Sequence, residues 1–293
     1  MKIFWKTLFT VPLLFSEIVG LSINQFNELH QCLESRFPTK YCKRLGKQGK
    51  LLLCLIYMRQ YCSQGFLAWI FGVSKSTISR NVESILSELE HITVSWLKFA
   101  DYGERMKNSV TFRGAKLVLI VDGTEQQVSI PSKKLLEQAC FSGKKKKHTF
   151  TRLLGVSPRG HIYYVGEAET GSNNDLNLYH KSEIHNRLTK KEWIGADKGF
   201  RGCQNYHKFV LPYFESPLVK LTSKQQEFNN SFARIRTVVE NSIAQVKKWK
   251  ICRNCFRCKF ADLDKALLQS TRVWRVCAAL VNKFNFVLHS QTK

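Results

Sequence analysis

Lys116-Leu-Val-Leu-Ile-Val-Asp122-Gly-Thr-Glu125 is the stretch that decides the fold. A short apolar run, rich in β-branched side chains, stops at a carboxylate and a glycine, and so reads as a buried strand with a turn after Asp122. Charge at the end of a buried strand is costly unless something positive meets it. The chain has only six aspartates, at 101, 122, 175, 197, 262 and 264, and a second one closes a second apolar strand, Trp193-Ile-Gly-Ala-Asp197-Lys-Gly-Phe200.

Outward from these strands the chain divides. Residues 1 to about 100 carry apolar side chains at three- and four-residue spacing over Asn24 to Arg36, Gly49 to Tyr61, Gly65 to Phe71 and Ser76 to Leu97, which predicts helices. From Lys116 strand signals take over: Lys116–Val121, Gln126–Ile130, Thr149–Val156, Ile162–Val165 and Trp193–Ala196, with turn residues such as Pro158-Arg-Gly160 between them. A long helix follows from about Ser223 to Lys250, its apolar face traced by Phe228, Phe232, Ile235, Val239, Ile243, Val246 and Trp249, and Ala261 to Leu288 reads as another. The expected class is α/β (α+β): an all-helical module over residues 1–105, a joint within Asp101 to Phe112, and a mixed-sheet domain over 112–290.

Charge narrows the partner. Lysine and arginine total 46 against 22 acids, a formal net charge of +24, with an unbroken run at Lys144 to Lys147 and Lys247, Lys248, Lys250, Arg253, Arg257 and Lys259 following one another with no acid between. A polyanion is the natural complement, and nucleic acid fits better than a membrane, because no stretch approaches the roughly 18 apolar residues of a spanning helix. The apolar residues of Met1 to Phe15 are interrupted by Lys6 and Pro12 and no small-residue cleavage site follows, so they do not read as a secretory signal. Ten cysteines, most of them single in apolar stretches, suit a reducing compartment: the nucleus of a eukaryotic host, otherwise the cytoplasm or nucleoid.

Within the helical module, about residues 64–90 read as a helix-turn-helix. Gly72 can take the left-handed conformation of a sharp turn, Ser74 can cap the next helix, and that helix then presents Lys75, Ser76, Thr77, Ser79 and Arg80 while Ile78, Val82 and Ile85 face inward. An ordinary helical hairpin with a solvated polar face is the alternative; the basic surplus favours DNA. Lys144, Lys145, Lys146 and Lys147, between two strands, read as a phosphate clamp.

Three acids stand out as candidate chemistry. Asp122 and Asp197 end strands, and Glu240 lies mid-helix in Arg236-Thr-Val-Val-Glu240. Brought together, they form a hard-oxygen cluster that repels itself unless divalent cations neutralise it, as two-metal phosphodiester chemistry requires. Each has a plainer reading: Asp122 and Asp197 as Asx-turn formers, Glu240 as the partner of Arg236 in a helix-surface pair. Asp175 can equally cap a helix after Gly171-Ser-Asn-Asn174. Cys252-x-x-Cys255-x-x-Cys258 has metal-like spacing but lacks a second pair.

The ordered set Val121-Asp-Gly-Thr-Glu125, Phe141-Ser-Gly-Lys-Lys-Lys-Lys-His-Thr149, Gly171-Ser-Asn-Asn-Asp175, Ala196-Asp-Lys-Gly-Phe200 and Arg236-Thr-Val-Val-Glu240, preceded by Gly20-Leu-Ser-Ile-Asn-Gln-Phe26 and a helix-turn-helix over 38–90, resembles DDE-superfamily transposases of the Harbinger and related bacterial insertion-sequence type. The family often has tyrosine where Phe141 and Phe200 stand. The resemblance implies a ribonuclease-H-like catalytic fold and a catalytic, metal-binding triad of Asp122, Asp197 and Glu240 that holds Mg2+ or Mn2+. It also implies cleavage and transfer of strands of double-stranded DNA at element termini and a homo-oligomeric assembly. A domesticated, DNA-binding descendant without transposition is the alternative, and a non-transposing nuclease shares the same site. If the triad assignment holds, Asp122 lies within metal-bridging reach of Asp197 and Glu240.

Overall fold

The computed structural model describes residues 7–36, 45–216 and 220–284. Residues 1–6 of the stretch weighed as a leader, 37–44 at the edge of the helix-turn-helix resemblance, and 285–290 at the end of the expected last helix and catalytic domain lie outside them. The described residues fold as two compact units that are not consecutive in sequence, one within 1–96, 246–254 and 272–284, the other within 97–245 and 255–271. The chain passes between the units at 96/97, 245/246, 254/255 and 271/272.

The first unit is helical. Its N-terminal part contains α1 (Pro12–Val19), α2 (Ile23–Arg36), α3 (Lys47–Gln60), α4 (Gln64–Phe71) and α5 (Lys75–Thr93). Pro12 stands at the start of α1, where its missing N–H costs nothing, and Gly20 ends it in the left-handed region at φ 85°. The apolar faces read from the sequence converge here: Phe15, Phe26, Leu29, Leu33, Leu51, Leu55, Leu67, Ile78 and Leu89 are buried. The late segments join the same unit, where Arg272 donates to Glu90 at 2.7 Å and to Glu83 at 2.7 Å.

The second unit is built on a mixed sheet. Its strands are β1 (Val110–Phe112), β2 (Ala115–Gln127), β3 (Phe141–Ser142), β4 (Lys147–Val156), β5 (Ile162–Val165), β6 (Glu169–Thr170), β7 (Trp193–Gly195) and β8 (Phe209–Val210). The sheet path runs β3-β4-β2-β7-β8, with β5 and β6 also paired to β4 and β1 to β2. Thus β2, β4 and β5 form a consecutive antiparallel meander, while β7 and β8 add parallel to β2 on its other side. This is the ribonuclease-H-like arrangement. Helices α6 (Tyr102–Lys107), α7 (Lys134–Cys140), α8 (Asp175–Ser182) and α9 (Ser223–Lys247), the last contributing up to Gln245, flank it; α10 (Lys250–Arg253) and α11 (Leu263–Phe284) follow. The core gathers Val118, Leu119, Val121, Leu153, Tyr163, Leu178, Ile194, Ala196 and Phe200. Beside it a fully buried ion pair, Arg105 Nε to Glu192 Oε1 at 2.6 Å with Nη2 to Oε2 at 2.9 Å, ties α6 to the loop before β7.

One expectation is corrected. The strand does not stop at Asp122, and no turn follows it: β2 runs on to Gln127, with Asp122 opposite Leu154, Gly123 opposite Leu153 and Gln127 opposite Thr149. The apolar run ends because burial changes. Both faces are covered up to Val121, after which exposed or half-buried residues intersperse with buried Thr124 and Gln126. The continuous partner strand β4 supplies the ladder that the local sequence does not announce; of the separate strand expected over Gln126–Ile130, Gln126 and Gln127 are the end of this one, and Val128 makes only an isolated bridge to Phe256.

Candidate active site

Asp122 projects from the middle of β2, where burial ends. Asp197 lies just past β7 and takes up the Asx role weighed for it: it caps the 3-10 turn Lys198–Phe200, its Oδ1 accepting the Gly199 N–H. Asp175 opens α8 but does not cap it, because the side chain of Asn174 accepts the Asn177 N–H at 2.9 Å. Freed from capping, the Asp175 carboxylate wedges between two backbones. A Cβ on Gly123 would collide with its Oδ1, and one on Gly199 would stand 2.5 Å from its Oδ2. Each glycine follows one of the other two aspartates, directly at 123 and after one residue at 199, so the absent side chains make room for the Asp175 carboxylate.

Their charges feel one another. Burial pushes the Asp122 carboxyl up to about 6; the Arg236 guanidinium pulls against that rise, and Asp197 and Asp175 add to it. Burial likewise raises Asp175, opposed by Lys144 and reinforced by Asp197 and Glu125. Glu240 stands apart, its side chain 58% exposed on α9. Arg236 links it to the group: Nη2 lies 3.9 Å from Asp197 Oδ2 and 3.9 Å from Glu240 Oε1. The Arg236–Glu240 pair weighed from the sequence therefore exists, but the same arginine also faces Asp197. Its Nε is buried without a hydrogen-bond partner among the described residues.

Among the described residues no three His, Cys, Asp or Glu side chains come close enough to hold a metal ion as they stand. The expected reach of Asp122 to both Asp197 and Glu240 is thus not met by all three at once. The donor chemistry nonetheless suits a hard divalent cation: aspartate oxygens, partly desolvated and repelling one another, are what such an ion neutralises. In the sequence Asp175 stands between capping and catalysis, and Arg236 offers itself only as a partner of Glu240. The glycines at 123 and 199 are the sequence signal for the first, but their meaning is three-dimensional.

The other expected residues fall in two places. In the first unit Gly72 is left-handed at φ 63° and Ser74 accepts the Thr77 N–H at 3.2 Å, so α4 and α5 form the helix-turn-helix. Ile78, Val82 and Ile85 are buried, while Lys75, Ser76, Ser79 and Arg80 are exposed and Thr77 is half-buried. In the second unit Lys144, Lys145, Lys146 and Lys147 are exposed at the hairpin between β3 and β4, with Lys146 left-handed and the Lys145 N–H donating to Ser142 Oγ. Lys144 is the one whose charge acts on Asp175. Cys252 is buried in the first unit, and Cys255 and Cys258 belong to the second.

A ribonuclease-H-like sheet with aspartates gathered beside its central strands, in one chain with a helix-turn-helix, defines a class: nucleases that carry their own DNA-reading module. The family described as DDE superfamily endonuclease matches residues 121–282, and the helix-turn-helix of DDE superfamily endonuclease matches 43–93, so the chain belongs to the DDE superfamily endonucleases. It is similar to a probable transposase for insertion sequence element IS702 from Microchaete diplosiphon, 27% identical over 251 residues that cover 83% of this chain and 86% of the relative. It is also similar to a putative transposase for insertion sequence element IS112 from Streptomyces albus G, 26% identical over 263 residues covering 87% and 91%. No solved structure matches it. No helix among the described residues is long and apolar enough to cross a membrane.

Proposed function

We propose that the chain is a metal-dependent DNA transposase whose second unit cuts, and then joins, phosphodiester strands at Asp122, Asp197 and Glu240, while its helix-turn-helix reads the element ends. The observation that carries this reading is that Asp175 and Asp197 meet at Gly199 and both bear on Asp122, whose carboxyl is raised by burial and by these acidic neighbours. Asp122 and Asp197 would hold Mg2+ or Mn2+, with Glu240 as third ligand. When bound, the cation supplies Lewis-acid polarisation of the scissile phosphate and eases deprotonation of the attacking hydroxyl.

The remaining work belongs to the chain. Arg236 contacts its two acids only at 3.9 Å, so its Nη2 is not committed to a short hydrogen bond with either and suits orientation of the scissile phosphate. Lys144 to Lys147 hold the backbone beside the acids, and Lys75, Ser76, Thr77 and Arg80 contact bases and phosphates of the duplex. Two ends must be processed together, so the active form is a homo-oligomer. The test is cleavage and strand transfer by purified full-length chain, with Mg2+ or Mn2+, on DNA bearing its own flanking repeats. Asp122→Asn, Asp197→Asn and Glu240→Gln each abolish both products; cleavage that survives Asp122→Asn refutes the assignment.

A further inference from the structure

An open cavity of about 650 Å³ is lined by Lys198, by residues on either side of Ser216 and Lys220, and by Asn229 of α9. Its wall includes Lys198, the residue next to Asp197, together with Tyr213, Glu215, Lys220 and Asn229. Tyr213 is 46% exposed, and both its backbone and its ring have partners. Its N–H donates to Asn229 Oδ1 at 2.8 Å, its carbonyl accepts from Asn229 Nδ2 at 3.0 Å, and its ring meets Phe228 edge-on at 5.0 Å. The next residue, Phe214, is 44% exposed and sits beneath the Arg201 guanidinium at 4.6 Å. Two adjacent aromatic residues are therefore left with almost half their surface uncovered, and Tyr213 shares the cavity wall with Lys220 and with Lys198, the sequence neighbour of a candidate catalytic aspartate.

Single exposed aromatics are ordinary, but an anchored ring at the mouth of a basic cavity is a stacking platform. The volume lies within the roughly 300–1,000 Å³ range of small-ligand sites, which admits one nucleotide and not a duplex. We propose that this cavity receives an unpaired nucleotide of the DNA strand beside the scissile phosphate. The base stacks on Tyr213, Lys198 and Lys220 take the flanking phosphates, and the Glu215 carboxylate accepts from the base's amino or imino N–H. The substrate of the proposed function is then a duplex locally opened at the cut, so this inference rests on the reading of the second unit as the cutting unit.

The test reads binding without metal, so that it is separable from catalysis. Full-length chain in EDTA is mixed with an element-end duplex carrying a short unpaired tail with 5-iodouracil, and with the matching blunt duplex. Irradiation is expected to cross-link the tail to Tyr213 or Phe214, located by mass spectrometry. Tyr213→Ala is expected to weaken tailed DNA about tenfold and leave the blunt duplex unchanged, while Tyr213→Trp retains the affinity. Lys220→Gln should flatten the salt dependence for tailed DNA by about 0.7 in log–log slope. Equal affinity of Tyr213→Ala and wild type for the tail, or cross-links confined to residues outside the cavity, overturns the proposal. So does equal loss on blunt and tailed DNA with a lowered melting temperature, accompanied by failure of Tyr213→Trp to retain tail binding. Absence of cleavage when Mg2+ is restored, with the cross-link intact, counts against the metal triad alone.

Discussion

Gly199→Ala isolates the contact that draws the aspartates together. The glycine is not left-handed, so alanine suits its backbone and, with space available, would stabilise the fold by about 0.4–1 kcal/mol through the unfolded chain. The new Cβ would instead stand 2.5 Å from Asp175 Oδ2 and 3.0 Å from Asp197 Oδ1. Overpacking of this kind costs about 1–3 kcal/mol, so the expected net loss is about 1 kcal/mol, and the displaced Asp197 should lower cleavage by more than stability alone explains. In an Asp175→Ser background the nearer clash is gone, and the same alanine should be neutral or slightly stabilising, a coupling of about 1–2 kcal/mol between the positions. The assay is a four-protein cycle measured by hydrogen exchange of β2 amides under denaturant, which follows the second unit without assuming that both units unfold together. An equal cost for Gly199→Ala in both backgrounds would show that Asp175 does not occupy the space between the glycines.

Three further outcomes follow from the same geometry. The Asp122 carboxyl is raised in the fold, so its charged form is disfavoured there: the penalty is absent below the unfolded carboxylate range and complete above about 6. Metal-free protein should therefore lose stability as pH rises through that window, and Asp122→Asn should melt higher than wild type at neutral pH in EDTA; a lower melting point contradicts this electrostatic account. For Glu192, burial pushes upward, but the hydrogen bonds from Arg105 and the Thr189 N–H outweigh it and hold the carboxyl below its ordinary value. Its stabilisation is present above the unfolded carboxylate range and disappears as pH falls through the folded value; Arg105→Met should cost about 3–5 kcal/mol by stranding a buried charge, and a change under about 1 kcal/mol in urea melts would contradict that. Ser74→Ala removes the cap of α5 and should cost the first unit about 1 kcal/mol, whereas Arg80→Ala should leave stability unchanged and flatten the salt dependence of duplex binding by about 0.9 in log–log slope; an unchanged slope removes Arg80 from the phosphate contacts.

Local chemistry made the helix-turn-helix legible. Gly72 and Ser74 specify a turn and a cap within a few residues, and the period of Ile78, Val82 and Ile85 specifies which face is buried. The acids were legible as types, because a carboxylate after an apolar run is rare, and so was the order of strands before helices. Strand length was not: β2 continues past Asp122 because β4 pairs with it, and pairing partners far apart in sequence leave no mark on the run itself. Nor was the division into units, since Arg272 and its helix join the first unit through ion pairs to Glu83 and Glu90. The sequence by itself determined a basic chain with a DNA-reading helix pair and a small set of acids on a mixed sheet. Only the tertiary structure decided that Asp175 stands with Asp122 and Asp197 while Glu240 is reached through Arg236, because the closeness of charges depends on the missing side chains of Gly123 and Gly199 and on the packing of α8 and α9.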